Sequence, residues 1–129
     1  MTSAILILLV EDEPVLLDIV RTTLGDGGYD VVVAENGSSA IRALDERPSD
    51  FVALVTDIRI GKGPSGWDVA RHARALKPEV PVVYMTGDSA GEWAVHGVPK
   101  SLLLQKPFAQ AQLITAVSTL LNEASSISG

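Results

Sequence analysis

Four polar clusters each follow directly on a short apolar run. Glu11 and Asp12 follow Ile5 to Val10, and Thr56 and Asp57 follow Phe51 to Val55. Thr86, Gly87 and Asp88 follow Val80 to Met85, and Gln105, Lys106 and Pro107 follow Leu102 to Leu104. Each cluster has an ordinary reading when taken singly. Acids ahead of Pro14 complement the dipole of a helix start, worth ~0.3–1 kcal/mol. Asp57 at a strand end suits a turn or an N-cap, and Thr86-Gly87 suits a turn. Lys106 could keep its head in water. None of these readings explains why all four stand at the ends of apolar runs. Brought together, Glu11, Asp12 and Asp57 would repel: two carboxylates ~4 Å apart do so by about 4 kcal/mol at an effective dielectric of about 20. Lys106 supplies one positive charge. The remainder suits a hard divalent ion, and an all-oxygen ligand set favours Mg²⁺ over Zn²⁺.

The elements between these clusters decide whether they can meet. The apolar runs (5–10, 31–34, 51–55, 80–85 and 102–104) are near-continuous rather than alternating. Such runs suit strands buried on both faces, hence a parallel sheet covered by helices. Leu17, Val20 and Leu24 mark a first helix that Gly25 is expected to stop. Ile41 and Leu44 mark a second, from about Ser38 to before Pro48. Val69, Ala73 and Leu76 mark a third, ended by Lys77-Pro78. Leu113, Val117, Leu120 and Leu121 mark a last helix from about Ala109 to Ala124. The stretch from Ser89 to Val98, with Gly91 and Gly97, supports only a short or frayed helix. Five βα units predict a doubly wound α/β sheet, whose ligands bind at the carboxyl ends of the strands.

Composition narrows the function. The 129 residues are 47% apolar and 20% charged, with a net charge of −6 and no cysteine. That predicts one domain spanning 1–129, with an ordered core of about 4–124 and a loose tail at 125–129. The acidic balance argues against direct nucleic-acid binding and against an anionic membrane surface. Thiolate metal sites, disulfides and cysteine nucleophiles are excluded. The first apolar run is too short for a signal peptide or membrane span, so the expected location is cytoplasmic.

Leu8-Leu9-Val10-Glu11-Asp12-Glu13-Pro14, Val55-Thr56-Asp57, Val83-Tyr84-Met85-Thr86-Gly87 and Gln105-Lys106-Pro107-Phe108 together resemble the receiver domain of two-component response regulators. The resemblance implies a flavodoxin-like five-stranded sheet in the order 2-1-3-4-5. It implies that Asp57 is the phosphoacceptor. Asp12, Asp57 and the main-chain carbonyl of Arg59 would bind Mg²⁺, with Glu11 acting through water. Lys106 and Thr86 would contact phosphoryl oxygens, and the Lys106–Pro107 bond would be cis. A sensor histidine kinase or a histidine phosphotransfer protein would supply the phosphoryl group and dock on the first helix through Val15 and Ile19 and near Pro107. The strand 4–helix 4–strand 5 face would then switch toward an output partner that the sequence does not name. Such a domain phosphorylates itself and slowly loses the phosphate; it is not a turnover enzyme.

The chain departs from the pattern in places. Leu103 stands where receivers usually carry an aromatic, which keeps a phosphorylation-independent pseudo-receiver open as an alternative. Trp93 lies in the shortened fourth segment and reads as a half-buried aromatic or as a partner anchor. Gly61-Lys62-Gly63 reads as a turn, since it lacks phosphate-loop spacing. Arg59 and Asp88 are expected to pair across the site and slow phosphate hydrolysis. His72 and His96 receive no catalytic role. An aspartate-nucleophile phosphatase would need a second aspartate where Asp57-Ile58-Arg59 has arginine. A flavin or nucleotide module would be repelled by Glu11-Asp12-Glu13.

Overall fold

The computed structural model describes the backbone of residues 5–128 and the side chains of residues 5–124. Strands β1 (Leu6–Val10), β2 (Asp30–Ala34), β3 (Phe51–Asp57), β4 (Val82–Thr86) and β5 (Leu102–Gln105) alternate with helices α1 (Pro14–Asp26), α2 (Gly37–Glu46), α3 (Gly66–Leu76), α4 (Trp93–His96) and α5 (Gln110–Ser128). The strands form one parallel sheet in the order β2-β1-β3-β4-β5. The doubly wound sheet is the one the apolar runs predict, and its flavodoxin-like strand order is the one the resemblance implies.

Side chains alternate across the strands and so feed two cores. Leu6, Leu8 and Val10 point to the layer of α2 and α3, where they join Leu44, Leu54, Val69 and Tyr84. Ile7 and Leu9 point to the layer of α1 and α5, where they join Val20, Leu24, Val55 and Leu113. Burial on both faces explains why the strands read as unbroken apolar runs.

The order of the strands sets the position of the polar clusters. Val10 lies beside Thr56, Asp57 beside Met85, and Thr86 beside Gln105. The ends of β1, β3, β4 and β5 therefore stand abreast at one edge. The reversal of strand order between β1 and β3 opens the crevice where doubly wound sheets bind ligands.

Several helix ends differ from expectation. α1 runs through Gly25 to Asp26, and Gly27 donates its N–H to the Thr23 and Leu24 carbonyls. Gly28, at φ 95°, then makes the turn toward β2. A helical glycine costs only about 1 kcal/mol, whereas the left-handed turn needs one. α2 starts at Gly37, one residue early, because the Asn36 side chain accepts the Ser39 N–H and caps it. α5 runs to Ser128 rather than stopping near Ala124. No glycine or proline interrupts residues 125–128, so nothing in that stretch breaks the ladder. The loose ends expected at residues 1–4 and at 129 lie outside the described residues. The fourth segment is short, as expected: a 3₁₀ turn at Ala90–Glu92 leads into α4. Gly61 and Gly63 both have positive φ, in keeping with a turn. No helix among the described residues is long and apolar enough to cross a membrane.

α3 packs directly against the end of β3. Ser65 and Asp68 form a capping box at its start, and the Gly66 N–H donates to the Ile58 carbonyl at 2.8 Å. A Cβ on Gly66 would strike the main-chain oxygen of Asp57. Gly66→Ala should therefore lower stability by about 1–3 kcal/mol through overpacking. Gly25→Ala, which meets nothing within 4 Å, should raise it by roughly 0.5–1 kcal/mol. Urea unfolding midpoints check both; an unchanged Gly66→Ala midpoint would refute the close approach.

Candidate functional site

The end of β1 carries Glu11 inward. Its backbone N–H extends the sheet by donating to the Ala34 carbonyl at 3.1 Å, and the residue is fully buried. One carboxylate oxygen accepts the Glu13 N–H at 3.1 Å. Asp57 closes β3: its Oδ1 accepts the Ile58 N–H at 2.7 Å, and its Oδ2 accepts Lys106 Nζ at 2.8 Å. The same Nζ lies 3.4 Å from Glu11 Oε1. Lys106 is set in place by its own N–H, which donates to the Thr86 carbonyl at 2.7 Å. The Lys106–Pro107 bond is cis. Asp12 completes the cluster from the exposed side: carboxylate oxygens of Glu11, Asp12 and Asp57 all lie within 4.8 Å of one another.

Such a group could hold a metal ion, and its electrostatics ask for one. At that spacing each ionised pair would repel by about 3–4 kcal/mol at an effective dielectric of about 20. Among the described residues, Lys106 is the cation paired with this cluster. Burial pushes the Glu11 carboxyl up to about 7; the Glu13 N–H opposes this, and the charge of Asp57 adds to the rise. Burial opposes the charged form of Lys106, but the hydrogen bond and charge of Asp57, with Glu11, outweigh it and hold its pKa above the ordinary lysine value. The cluster thus meets its excess charge by keeping a proton near neutrality.

The other residues singled out in the sequence stand around this cluster. Thr86 is buried at the end of β4, and its hydroxyl oxygen accepts the N–H groups of Asp88 at 3.2 Å and Ser89 at 2.8 Å. Arg59 lies two residues past Asp57, and its Nε donates to Asp88 Oδ1 and Ser89 Oγ, both at 3.1 Å. The expected Arg59–Asp88 pair is therefore present, though both side chains are largely exposed, which limits such a pair to about 0.2–1 kcal/mol. Val15 and Ile19 are 67% and 44% exposed. With Leu16, Pro107 and Phe108 they line a groove of about 500 Å³ beside Lys106. His72 stands apart, bonded to Asp45 at 2.7 Å.

Sequence reasoning missed Ser89. It is 2% exposed and joins the Thr86 turn to Arg59 while donating to Asp88. The available signal was a serine three residues after a threonine at a strand end, a spacing suited to a hydroxyl-capped turn.

Residues 7–118 match the family model of the response regulator receiver domain. The chain is 31% identical over 125 residues to the transcriptional regulatory protein TrcR of Mycobacterium tuberculosis, covering 95% of this chain and 48% of TrcR. It spans about half the length of the curated relatives TcrX and TrcR. Its fold is similar to that of a response regulator receiver protein from Sinorhizobium medicae, with a TM-score of 0.91 and 48% identity over 94% of this chain and 97% of that one. It is also similar to the receiver domain of a sensor histidine kinase from Pseudomonas aeruginosa, with a TM-score of 0.80 and 26% identity over 93% and 99% of the two chains. The latter was crystallised with a magnesium ion coordinated in its active-site cleft.

The raised Glu11 pKa fixes a pH dependence. Between the usual carboxyl value of 4.5 and about 7 the folded chain holds a proton that the unfolded chain releases. Stability in a chelator should therefore fall as pH rises through that window, by on the order of 3 kcal/mol for this group. Glu11→Gln should flatten this part of the profile. Identical slopes in the two proteins, read from urea unfolding at a series of pH values, would contradict it.

Proposed function

Because the chain belongs to the response regulator receiver domain family, we propose that it takes a phosphoryl group onto Asp57 from the phosphohistidine of a sensor histidine kinase or of a histidine phosphotransfer protein. The observation that carries this reading is the gathering of three carboxylates at one sheet edge, two of them held by Lys106, with its Nζ 2.8 Å from Asp57 Oδ2.

The donor set fits Mg²⁺: the side-chain ligands are hard oxygens, and Asp12 lies on the open side, where the ion can keep its waters. Asp12, Asp57 and the main-chain carbonyl of Arg59 would hold it, with Glu11 acting through water. When bound, Mg²⁺ neutralises negative charge on the transferring phosphoryl oxygens.

The chain's own residues do the rest. An Asp57 carboxylate oxygen attacks phosphorus in line, and the P–N bond to the donor imidazole breaks. The imidazole leaves with the electron pair and is reprotonated. Lys106, already on Asp57, turns to a phosphoryl oxygen, so the site works by positioning and charge. The Thr86 hydroxyl leaves the Asp88 and Ser89 amides and donates to another phosphoryl oxygen. That release biases the β4–α4–β5 face between two states, and an output partner reads the change. Water later cleaves the acyl phosphate slowly, past the Arg59–Asp88 pair that flanks its approach. The chain is a signalling domain rather than a turnover enzyme.

The donor protein docks in the groove of Val15, Leu16, Ile19, Pro107 and Phe108, which offers exposed apolar surface next to Lys106. The compartment is the cytoplasm, and no direct nucleic-acid contact is invoked. A phosphatase reading lacks its second acid, since Arg59 stands in that place and binds Asp88.

Incubation with acetyl phosphate and Mg²⁺ should add the mass of one phosphoryl group. Asp57→Asn should add none, and Lys106→Ala should react roughly 100-fold more slowly. Equal labelling of wild type and Asp57→Asn by intact mass would overturn the assignment.

A further inference from the structure

Tyr84 is fully buried in β4, two residues before Thr86 and so on the same face of the strand. Its ring packs against Trp67, with centroids 4.8 Å apart and planes tilted by 58°. Its phenol oxygen accepts the N–H of Val98 at 3.0 Å. Val98 is the second residue after α4. Its carbonyl is held as well, by the Ser101 hydroxyl at 2.6 Å. Ser101 Oγ in turn accepts the indole N–H of Trp93, the first residue of α4, at 2.9 Å. Both backbone groups of Val98 are thus gripped by side chains, one from the central sheet and one tied to the start of α4.

These bonds add to two other holds on α4: the His96 carbonyl accepts Arg71 Nη2 at 3.4 Å, and the His96 ring lies 5.9 Å from that of Trp67. The helix is four residues long, far below the dozen or so that an isolated helix needs. A Cβ on Gly97 would strike the Trp93 indole, so the indole lies flat on the exit of the helix. Beside Tyr84 in the sheet stands Leu103, which carries no polar atom to share the task. Tyr84 thus reaches this segment in two ways, by its phenol oxygen on the Val98 amide and by ring contact through Trp67 to His96.

We propose that Tyr84 is a positioning residue that carries the movement of the Thr86 turn to α4, through its hold on the Val98 amide and the Val98–Ser101–Trp93 chain. The proposal rests on the phosphoacceptor reading above and deepens it: it names the path by which the site regulates the neighbouring face. A displacement of the β4 end pulls the Val98 amide with it, and the indole of Trp93 follows. Tyr84→Phe keeps the ring against Trp67, and with it the contact to His96, but removes the acceptor, so the hydrogen-bonded path is cut while the core stays filled.

The test follows the Trp93 indole N–H by ¹⁵N NMR before and after addition of Mg²⁺ and beryllium fluoride, with the urea unfolding midpoint of each variant as the packing control. Phosphoryl uptake from acetyl phosphate is measured in parallel by intact mass. Wild type should take up the phosphoryl group, and its Trp93 signal should move on addition of the mimic. Tyr84→Phe should take up the group within about twofold of the wild-type rate, a conserved step of less than one-third of a decade. Its Trp93 shift change should fall below half of wild type. A full Trp93 response in Tyr84→Phe overturns the proposal, as does a motionless Trp93 in phosphorylated wild type. No uptake by wild type would instead defeat the phosphoacceptor reading, and this inference with it. Should Tyr84→Phe not fold, Ser101→Ala leaves β4 untouched and cuts the same chain further on. It should be phosphorylated with Trp93 unresponsive, and a full response there overturns the proposal equally.

Discussion

Like charge held at close range is the constraint from which the rest of this molecule follows. Glu11, Asp12 and Asp57 bring carboxylate oxygens within 4.8 Å of one another, an arrangement that opposes folding. Two local devices contain it. Lys106 lies between Asp57 and Glu11, and the buried Glu11 keeps a proton to about pH 7. Neither removes the surplus once Glu11 ionises. A site that stores unfavourable charge and can be relieved by a cation is poised to bind one, and stability given up locally in this way is typical of functional positions.

The frame around the site supplies what the cluster cannot supply for itself. Parallel order brings four strand ends to one edge, and the register sets Asp57 beside Met85 and Thr86 beside Gln105. The start of α3 is pressed onto the main chain of Asp57 at a residue with no side chain, Gly66. Lys106 is fixed twice, by its N–H on the Thr86 carbonyl and by its ammonium on Asp57. Asp57, Thr86 and Lys106 therefore share backbone as well as side-chain constraints. The Thr86 carbonyl is bonded to the backbone at the base of Lys106.

Much of this was legible in the chain, because buried parallel strands announce themselves. Runs such as 5–10 and 80–85 carry no alternation, and the residues after them must reach the carboxyl edge. Glu11, Asp57, Thr86 and Lys106 could be placed there from that rule alone. What could not be read depends on partners distant in sequence. The end of α1 was misplaced at Gly25 because a glycine weakens a helix without ending it, and the actual stop needed the positive φ of Gly28. α5 outran its apolar stripe through residues whose periodicity is silent. Ser89 and Tyr84 looked like ordinary turn and core residues. Their hydrogen-bond partners are Arg59, 30 residues away, and Val98, 14 residues away. Periodicity shows which face a residue takes, not which backbone group it will meet.

The central claim is that Asp57 is part of a repulsive cluster that Mg²⁺ relieves, and it is tested most directly by comparing the unfolding free energies of wild type and Asp57→Asn, each in chelator and in saturating Mg²⁺. The account expects Asp57→Asn to be the more stable protein in chelator, because one charge has gone, and to gain less than wild type from the metal. A variant that is less stable in chelator and gains as much from Mg²⁺ as wild type would contradict it.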